Sequence, residues 1–256
     1  MLRYSKLADE RREVGRLECW CLHGSVGSAA DWRSLGAELA TAGIGSRAVD
    51  LWRFLECEPM PPAVFAQALN AEALGEAPRG RHRVLLGYSL GGRLALHALL
   101  GQPHPWQAAI IISAHPGLED GNERATRLAA DAIWAARAFR DDWQLFLDDW
   151  NAQPLLAGAP IREPAASRNL SLRRREIARS FVDWSLGNQQ PLWSALSAIT
   201  IPTLWIAGEA DTKYRALAER AATLVPGASL AIAPSAGHRV PWDAGPWLAA
   251  QSKARL

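Results

Sequence analysis

The segment Val84-Leu-Leu-Gly-Tyr-Ser-Leu-Gly-Gly-Arg93 joins an apolar run to a helical pattern through the sequence Gly-x-Ser-x-Gly. A chain that turns so sharply from strand to helix leaves no room for side chains two residues before and two residues after the serine, so glycine is needed there. Such a turn exposes the serine hydroxyl at its tip. The segment therefore predicts that Ser89 is a reactive serine at the end of a strand.

Short apolar runs alternate with longer helical patterns on both sides of this turn. We expect strands at 17–22, 46–51, 83–88, 108–113, 202–207 and 229–233. We expect helices at 31–42, 62–74, 90–100, 214–224 and 241–251. Strands that are continuous apolar runs separated by helices indicate an α/β fold with a mostly parallel sheet covered by helices on both faces.

One stretch, about residues 122–193, breaks this alternation because it is helical or irregular and contains no convincing strand. It falls between two strands of one sheet, and ligands of such sheets bind at the carboxyl ends of the strands. We therefore predict a single domain over 1–256 with a helical cap inserted at about 120–195. A helical layer that touches no ligand is the alternative.

The composition of the chain indicates which binding partners and which cellular compartment to expect. The chain has 256 residues, 49% of them hydrophobic, and a formal net charge of +2, which favours neither a nucleic-acid nor a membrane partner. No apolar stretch reaches the roughly 18 residues that span a bilayer, and the first sixteen residues are too charged for a signal peptide. With three cysteines, an odd number, the sequence predicts a reduced, cytoplasmic protein and leaves its oligomeric state open.

A serine hydroxyl reacts when a histidine takes its proton, and a carboxylate must orient that histidine. Gly208-Glu-Ala-Asp211 follows one predicted strand, and Ala236-Gly-His238 follows the next. Glu209 lies closer to its strand end than Asp211, which is better placed to reach back to the histidine. The sequence thus predicts Ser89, Asp211 and His238 as the catalytic residues, in the chain order of the alpha/beta-hydrolase fold.

The turn Leu22-His-Gly-Ser25 follows the first predicted strand. We expect it to bring the backbone N–H of Ser25 opposite that of Leu90, so that both donors form an oxyanion hole. His23 is expected to structure the turn.

Several segments together are similar to a narrower group, the 2-succinyl-6-hydroxy-2,4-cyclohexadiene-1-carboxylate synthase family of menaquinone-pathway lyases, within the alpha/beta-hydrolase superfamily. The resemblance covers about residues 17–250. Its segments are Leu22-His-Gly-Ser-Val-Gly-Ser28 with Asp31-Trp32, Gly87-Tyr-Ser-Leu-Gly-Gly-Arg93, His115-Pro-Gly-Leu118 with Glu123-Arg-Ala-Thr-Arg127, Asp149-Trp150 with Gln153-Pro-Leu155, and Gly208-Glu-Ala-Asp-Thr-Lys213.

The resemblance implies a small anionic substrate that carries a succinyl chain, a ring carboxylate and an enolpyruvyl group. It implies proton abstraction by the Ser-His-Asp array and elimination of pyruvate, with no acyl-enzyme. No metal or organic cofactor is expected, because the sequence has no metal-ligand spacing and no phosphate-binding Gly-x-Gly-x-x-Gly.

Cations are the expected partners of such a substrate. Arg93 follows Ser89 by one helical turn, so both can face one cleft, and a guanidinium binds a carboxylate in bidentate fashion. Arg124 and Arg127 share one face of a predicted cap helix, and Lys213 follows Asp211 by two residues. A surface salt bridge for Arg93, and a solvated helix face for the cap arginines, are the alternatives. Within the matched segments, Tyr88 and Trp150 are further candidate substrate contacts.

The sequence departs from the family's pattern at Ser25, where an aromatic residue is common, and at Ser180-Phe-Val182, which replaces Ser-Leu-Arg. We expect that one anion contact is lost or moved to Arg168. A serine hydrolase acting on a small carboxylated substrate shares every triad residue and is the main competing function. A binding protein without activity is a third.

Overall fold

The computed structural model describes residues 17–76, 82–156 and 169–255. Within these ranges a six-stranded, fully parallel sheet has the order β2-β1-β3-β4-β5-β6. The strands are β1 Leu17–Leu22, β2 Gly45–Val49, β3 His82–Tyr88, β4 Trp106–Ile112, β5 Thr203–Gly208 and β6 Ser229–Ala233. The α-helices are α1 Arg33–Ala40, α2 Pro62–Gly75, α3 Leu90–Leu100, α4 Gly121–Arg140, α5 Trp143–Asn151, α6 Arg174–Asp183, α7 Thr212–Leu224, α8 Val240–Asp243 and α9 Gly245–Arg255.

The predicted elements are present, and the differences have local causes. The strand expected to reach residue 51 ends at Val49, because the Asp50 side chain accepts the N–H of Trp52 and starts a 3-10 turn. The helix expected at 31–42 begins as a 3-10 turn and becomes α1 at Arg33. The closing helix expected at 241–251 is divided between α8 and α9, because Pro246 has no N–H to donate to the preceding turn.

Apolar residues cover both faces of the sheet, as continuous apolar strands require. In β1, Trp20 and Cys21 are both buried and belong to different core clusters, one on each face. Four tryptophans are fully buried, namely Trp20, Trp52, Trp184 and Trp205. These large rings pack among the aliphatic side chains that make up most of the core.

The strand register places the loops that follow β1, β3, β5 and β6 at one edge. Leu22 pairs with Gly87, and Gly208 pairs with Ala233. Beyond the strands the hydrogen bonds continue: the Ser89 N–H donates to the carbonyl of Ile112 at 2.8 Å, and the Ser113 N–H donates to that of Ile206 at 2.8 Å. The residues after the strands are therefore held in place by their neighbours in the sheet.

Helices α4, α5 and α6 lie between β4 and β5 in the chain, and α4 packs along α6. Arg173 ties this region to the loop after β2 through Asp50 at 3.1 Å and Glu56 at 2.7 Å. We call residues 121–198 the cap. In the part of the chain that the structure describes, every helix is too short or too polar to span a bilayer.

Candidate active site

Ser89 sits in a strained turn between β3 and α3, with φ of 53°. A Cβ on Gly87 would lie 2.4 Å from the carbonyl oxygen of Gly91, and one on Gly91 would lie 2.2 Å from that of Leu22. Both obstacles are backbone atoms, which cannot swing aside. The two glycines are therefore required by close packing, and they leave the Ser89 hydroxyl at the carboxyl edge of the sheet.

The structure brings Ser89, His238 and Asp211 together. His238 Nε2 lies 3.1 Å from Ser89 Oγ, and His238 Nδ1 lies 2.7 Å from Asp211 Oδ2. Asp211 also accepts the N–H of Tyr214 at 3.2 Å, at the start of α7, where the helix dipole favours a negative charge. With Nδ1–H donated to the carboxylate, Nε2 is free of a proton and can accept one from the Ser89 hydroxyl.

Glu209, the alternative acid in the sequence, points elsewhere. Its Oε2 accepts the N–H of Ser235 at 2.9 Å and so holds the turn after β6. This turn precedes His238, so Glu209 supports the loop that carries the histidine.

The turn after β1 is held by His23, which is fully buried. Its Nδ1 donates to the carbonyl of Gly24 at 3.0 Å, and its Nε2 accepts the N–H of Leu51 at 3.2 Å. Ser25 follows and lies beside Ser89 in the lining of the site. Leu90 is the first residue of α3, so its N–H has no partner within the helix. An oxyanion hole formed by the N–H groups of Ser25 and Leu90 stays a prediction.

Two cavities meet at Ser89, between the sheet edge and the cap. The outer cavity has a volume of about 220 Å³ and includes Tyr88 and His238 from the core and Trp134 and Trp150 from the cap. The inner cavity has a volume of about 40 Å³ and includes residues from α3, α4 and α6. Two of the predicted substrate contacts, Tyr88 and Trp150, thus line the outer cavity.

Arg93 lines the inner cavity and is 8% exposed. Its Nη2 donates to the carbonyl of Trp184, whereas its Nη1 is buried without a hydrogen-bond partner. Burial, together with the charge of Arg127, lowers the pKa of Arg93 to about 10, which leaves it protonated at neutral pH. A buried cation with an unused N–H donor is suited to a carboxylate ligand.

Arg127 lines both cavities. Its Nε donates to Asp131 at 2.9 Å, and Asp131 in turn accepts the hydroxyl of Ser185 at 2.8 Å. The Asp131 side chain is buried, so it holds Arg127 in place and balances part of its charge.

Two other predicted cations lie outside the lining of both cavities. Arg124 lies one turn before Arg127, and its Nε donates to the carbonyl of Gly187 at 3.0 Å, which joins α4 to the loop after α6. Lys213 is exposed in the first turn of α7, whose buried face carries Tyr214. In the structure Arg124 thus joins two parts of the chain and Lys213 is exposed, and a substrate contact for either stays a prediction.

Two residues at the site had no predicted role. His115 lines the inner cavity, and its Nδ1 accepts the N–H of Gly117 at 3.0 Å, which leaves the ring proton on Nε2. Burial, and then the charges of Lys213 and Arg93, lower the pKa of His115 to about 4. The available signal was its place just after β4, in the matched His-Pro-Gly segment.

Tyr214 is the second such residue, with its ring centroid 4.3 Å from that of His238. Burial raises the pKa of its hydroxyl, so it is neutral at pH 7. It lines both cavities and packs against the side of the imidazole. Its position three residues after the predicted acid was the only sequence signal for this role.

At the segment that departs from the family's pattern, Ser180 and Phe181 line the inner cavity and Val182 is exposed. An aromatic ring thus occupies that wall, and Arg168, the expected replacement cation, lies outside the described residues. In the described ranges, His, Cys, Asp and Glu form no group of three that could hold a metal ion.

Comparison with known proteins adds the following similarities. The profile of the alpha/beta hydrolase family matches residues 21–251. The chain is 36% identical over 221 residues to 2-succinyl-6-hydroxy-2,4-cyclohexadiene-1-carboxylate synthase of Serratia proteamaculans, covering 85% of this chain and 84% of that protein. It is 32% identical to the synthase of the same name from Pectobacterium atrosepticum, covering 80% of this chain and 83% of that protein.

Solved structures show the same fold. MenH from S. aureus superposes with a TM-score of 0.85 at 22% identity, covering 94% of this chain and 93% of that one. The carboxylesterase CesB from Bacillus subtilis superposes with a TM-score of 0.66 at 20% identity, covering 93% of this chain and 83% of that one.

Proposed function

Because the chain belongs to the alpha/beta hydrolase family and, within it, to the 2-succinyl-6-hydroxy-2,4-cyclohexadiene-1-carboxylate synthase family, we propose that it is a menaquinone-pathway lyase. It eliminates pyruvate from 2-succinyl-5-enolpyruvyl-6-hydroxy-3-cyclohexene-1-carboxylate. The observation that carries the proposal is the pairing of a Ser-His base with the buried, partly unpaired cation Arg93 in one connected site.

In the proposed reaction, Ser89 Oγ takes a proton from the ring carbon while His238 Nε2 takes the hydroxyl proton of Ser89. The electron pair of the broken C–H bond at ring carbon 2 forms a double bond between carbons 2 and 3. The existing double bond shifts to carbons 4 and 5, and the bond from carbon 5 to the enolpyruvyl oxygen breaks. The departing enolate gains a proton from His238 and becomes pyruvate. Asp211 stabilises the histidine while it carries the positive charge, and no bond forms between Ser89 and substrate.

As the proton leaves ring carbon 2, negative charge develops on the oxygen of the succinyl carbonyl attached to that carbon. The N–H groups of Ser25 and Leu90 are the proposed donors to that oxygen. Loss of one such donor lowers the rate of comparable enzymes by about 100-fold or more.

The carboxylates of the substrate need fixed cations, and the proposal uses two of the arginines that line the cavities. Arg93 is assigned to a carboxylate in the inner cavity, because its buried Nη1 has no other hydrogen-bond partner. Arg127 is assigned to a second carboxylate, because it lines both cavities and is held by Asp131. Tyr88 and Trp150 form aromatic walls for the ring.

The proposal is tested by pyruvate release, measured with a coupled dehydrogenase, from the enolpyruvyl substrate. We expect rapid release by the wild type and a loss of at least about 1,000-fold in kcat for Ser89→Ala, which removes the group that takes the ring proton. A wild type that releases no pyruvate would refute the lyase.

A serine hydrolase is the second candidate, since the hydrogen-bonded Ser89, His238 and Asp211 are also the arrangement that acyl transfer requires. The two functions differ in covalent chemistry. A hydrolase would give a burst with a p-nitrophenyl ester and would be labelled at Ser89 by a fluorophosphonate. The lyase is expected to do both poorly while it releases pyruvate.

A further inference from the structure

The inner cavity is lined by two polar side chains that the proposed mechanism does not use, His115 and Tyr214. The N–H of Gly117 donates to His115 Nδ1, so the ring proton of His115 is on Nε2. The Tyr214 side chain is buried, and its hydroxyl is protonated at neutral pH. In the described ranges neither His115 Nε2 nor the Tyr214 hydroxyl has a hydrogen-bond partner. Both groups are therefore neutral donors that a ligand can use.

Arg93 supplies a third donor to the same cavity through its Nη1, which is buried without a hydrogen-bond partner. Next to burial, the charges of Lys213 and Arg93 lower the pKa of His115. Burial raises the pKa of Tyr214, and the charges of Arg127 and Arg93 oppose that rise. Such effects arise between groups that lie close together. The three donors are therefore grouped around one volume of about 40 Å³.

The carboxylate in the described lining of this cavity, that of Asp131, is bound to other groups. Its two oxygens accept hydrogen bonds from Arg127 Nε at 2.9 Å and from Ser185 Oγ at 2.8 Å. Phe181 and Leu186 contribute apolar walls. A charged donor beside two neutral donors, in a small cavity with apolar walls, is suited to bind one carboxylate of a ligand.

The proposed reaction places one part of the substrate in this cavity. Ser89 takes the proton from ring carbon 2, and the N–H groups of Ser25 and Leu90 bind the succinyl carbonyl on that carbon. These three residues also line the inner cavity. A cavity that holds a benzene ring has a volume of about 150 Å³, so the substrate ring stays in the larger outer cavity. The chain beyond the carbonyl, two methylene groups and a carboxylate, therefore extends into the inner cavity.

We infer that the inner cavity binds the carboxylate at the end of the succinyl chain, with Arg93 Nη1, His115 Nε2 and the Tyr214 hydroxyl as its donors. This inference rests on the proposed function and adds two substrate-binding residues to it, His115 and Tyr214. A chain without the terminal carboxylate would leave all three buried donors unpaired. The site therefore discriminates against such chains, and the two residues determine specificity.

Two substitutions each remove one donor and keep the surrounding structure. Tyr214→Phe keeps the ring that packs against His238. His115→Asn keeps an acceptor for the N–H of Gly117, because an asparagine side chain bonds the backbone two residues on, and it removes the donor at Nε2. Each should raise KM for pyruvate release about 10- to 100-fold and change kcat less than about threefold, since one hydrogen bond to a charged group of the substrate is lost.

A pair of simple ligands distinguishes a carboxylate site from an effect on packing. 4-Oxo-4-phenylbutanoate carries the succinyl chain on a benzene ring, and 1-phenylbutan-1-one is the same ketone with a methyl group in place of the carboxylate. By calorimetric titration, the wild type should bind the first at least about 10-fold more tightly than the second. Each variant should reduce that ratio about 10-fold or more and change the affinity for the ketone less than about threefold. Ser180→Ala is the matched control and should keep the ratio, because it removes a hydroxyl of the same lining that donates to the carbonyl of Ile177.

The two measurements separate this inference from the proposed function. Turnover by the wild type with unchanged KM in both variants would refute the carboxylate site and leave the lyase standing. A wild type that released no pyruvate, but whose preference for the carboxylate ligand was lost in both variants, would refute the lyase and support the site. A wild type without that preference, or equal weakening of both ligands in the variants, would overturn the inference.

Discussion

Replacing Arg93 by methionine is expected to lower activity and, at the same time, to leave the ligand-free protein as stable or more stable. Methionine keeps much of the apolar volume of the arginine side chain and removes the charge. The two effects have opposite signs because the guanidinium is buried, which costs stability, at a place where it can bind a ligand.

The stability change follows from the environment of Arg93. Lowering its pKa to about 10 corresponds to roughly 3 kcal/mol of disfavoured charge, at about 1.4 kcal/mol per tenfold change in equilibrium. Methionine removes the cost of the buried charge but leaves the Trp184 carbonyl without its hydrogen-bond donor, which costs about 1–3 kcal/mol. The free energy of unfolding should therefore stay unchanged or rise by up to about 2 kcal/mol.

The pH dependence has a definite sign. Arginine is charged in both the folded and the unfolded chain below pH 10, and the folded state has the lower pKa, so the penalty is fully present there. It disappears only as the pH rises above about 10. The stability difference between Arg93→Met and the wild type should thus be constant from pH 6 to 9.

Stability is measured as Tm, with circular dichroism monitoring thermal unfolding. Activity is measured as kcat/KM for pyruvate release. For a chain of this size, 1 kcal/mol shifts Tm by roughly 2–4 °C. We expect kcat/KM to fall about 100-fold or more, because a buried charge pair with the substrate is lost. Arg124→Met, whose arginine contacts Gly187 and neither cavity, should keep kcat/KM within about threefold. A fall in Tm above about 8 °C, or kcat/KM retained in Arg93→Met, would refute the reasoning.

Two further substitutions test the turn and the inner cavity. Gly91→Ala should prevent folding to the native state, seen as loss of soluble protein, because its Cβ would lie 2.2 Å from the Leu22 carbonyl oxygen. Gly75→Ala is the control, because a Cβ there would have nothing within 4 Å. This variant should fold, and its free energy of unfolding should rise by up to about 1 kcal/mol. Since the pKa of His115 is lowered to about 4, its ring is neutral from pH 6 to 9. The profile of KM against pH should therefore have the same shape in the wild type and in His115→Gln, and an inflection near pH 6.5 lost in that variant would contradict this.

The parallel sheet and the meeting of Ser89, Asp211 and His238 could be predicted because they depend on local patterns. An apolar strand, a glycine turn and a helix are each encoded within about ten residues. Parallel strands then bring their carboxyl ends to one edge. The preference for Asp211 over Glu209 also followed from position within a short turn.

The lining of the cavities depends on tertiary packing, which one sequence does not contain. Arg124 and Arg127 lie about one helical turn apart on the same helix, and the sequence does not distinguish them. In the structure Arg124 contacts Gly187, whereas Arg127 lines both cavities. Lys213 and Tyr214 are adjacent, and the rotation of α7 exposes the first and buries the second. The donor on His115 depends on the N–H of Gly117, a hydrogen bond that no periodicity reports.

Hydrogen bonds that continue the sheet beyond its strands fix the loops that carry the catalytic residues, independently of the cap that covers the substrate site. Ser89 is anchored to β4 and Ser113 to β5, so the spacing between the loops bearing nucleophile and acid follows the fixed interval between strands, about 4.8 Å for each. Displacement of the cap does not alter that interval. Substitutions in the cap are thus free to change which molecule is accepted while the reaction machinery stays intact, and this division makes the cap the natural target for engineering new specificity.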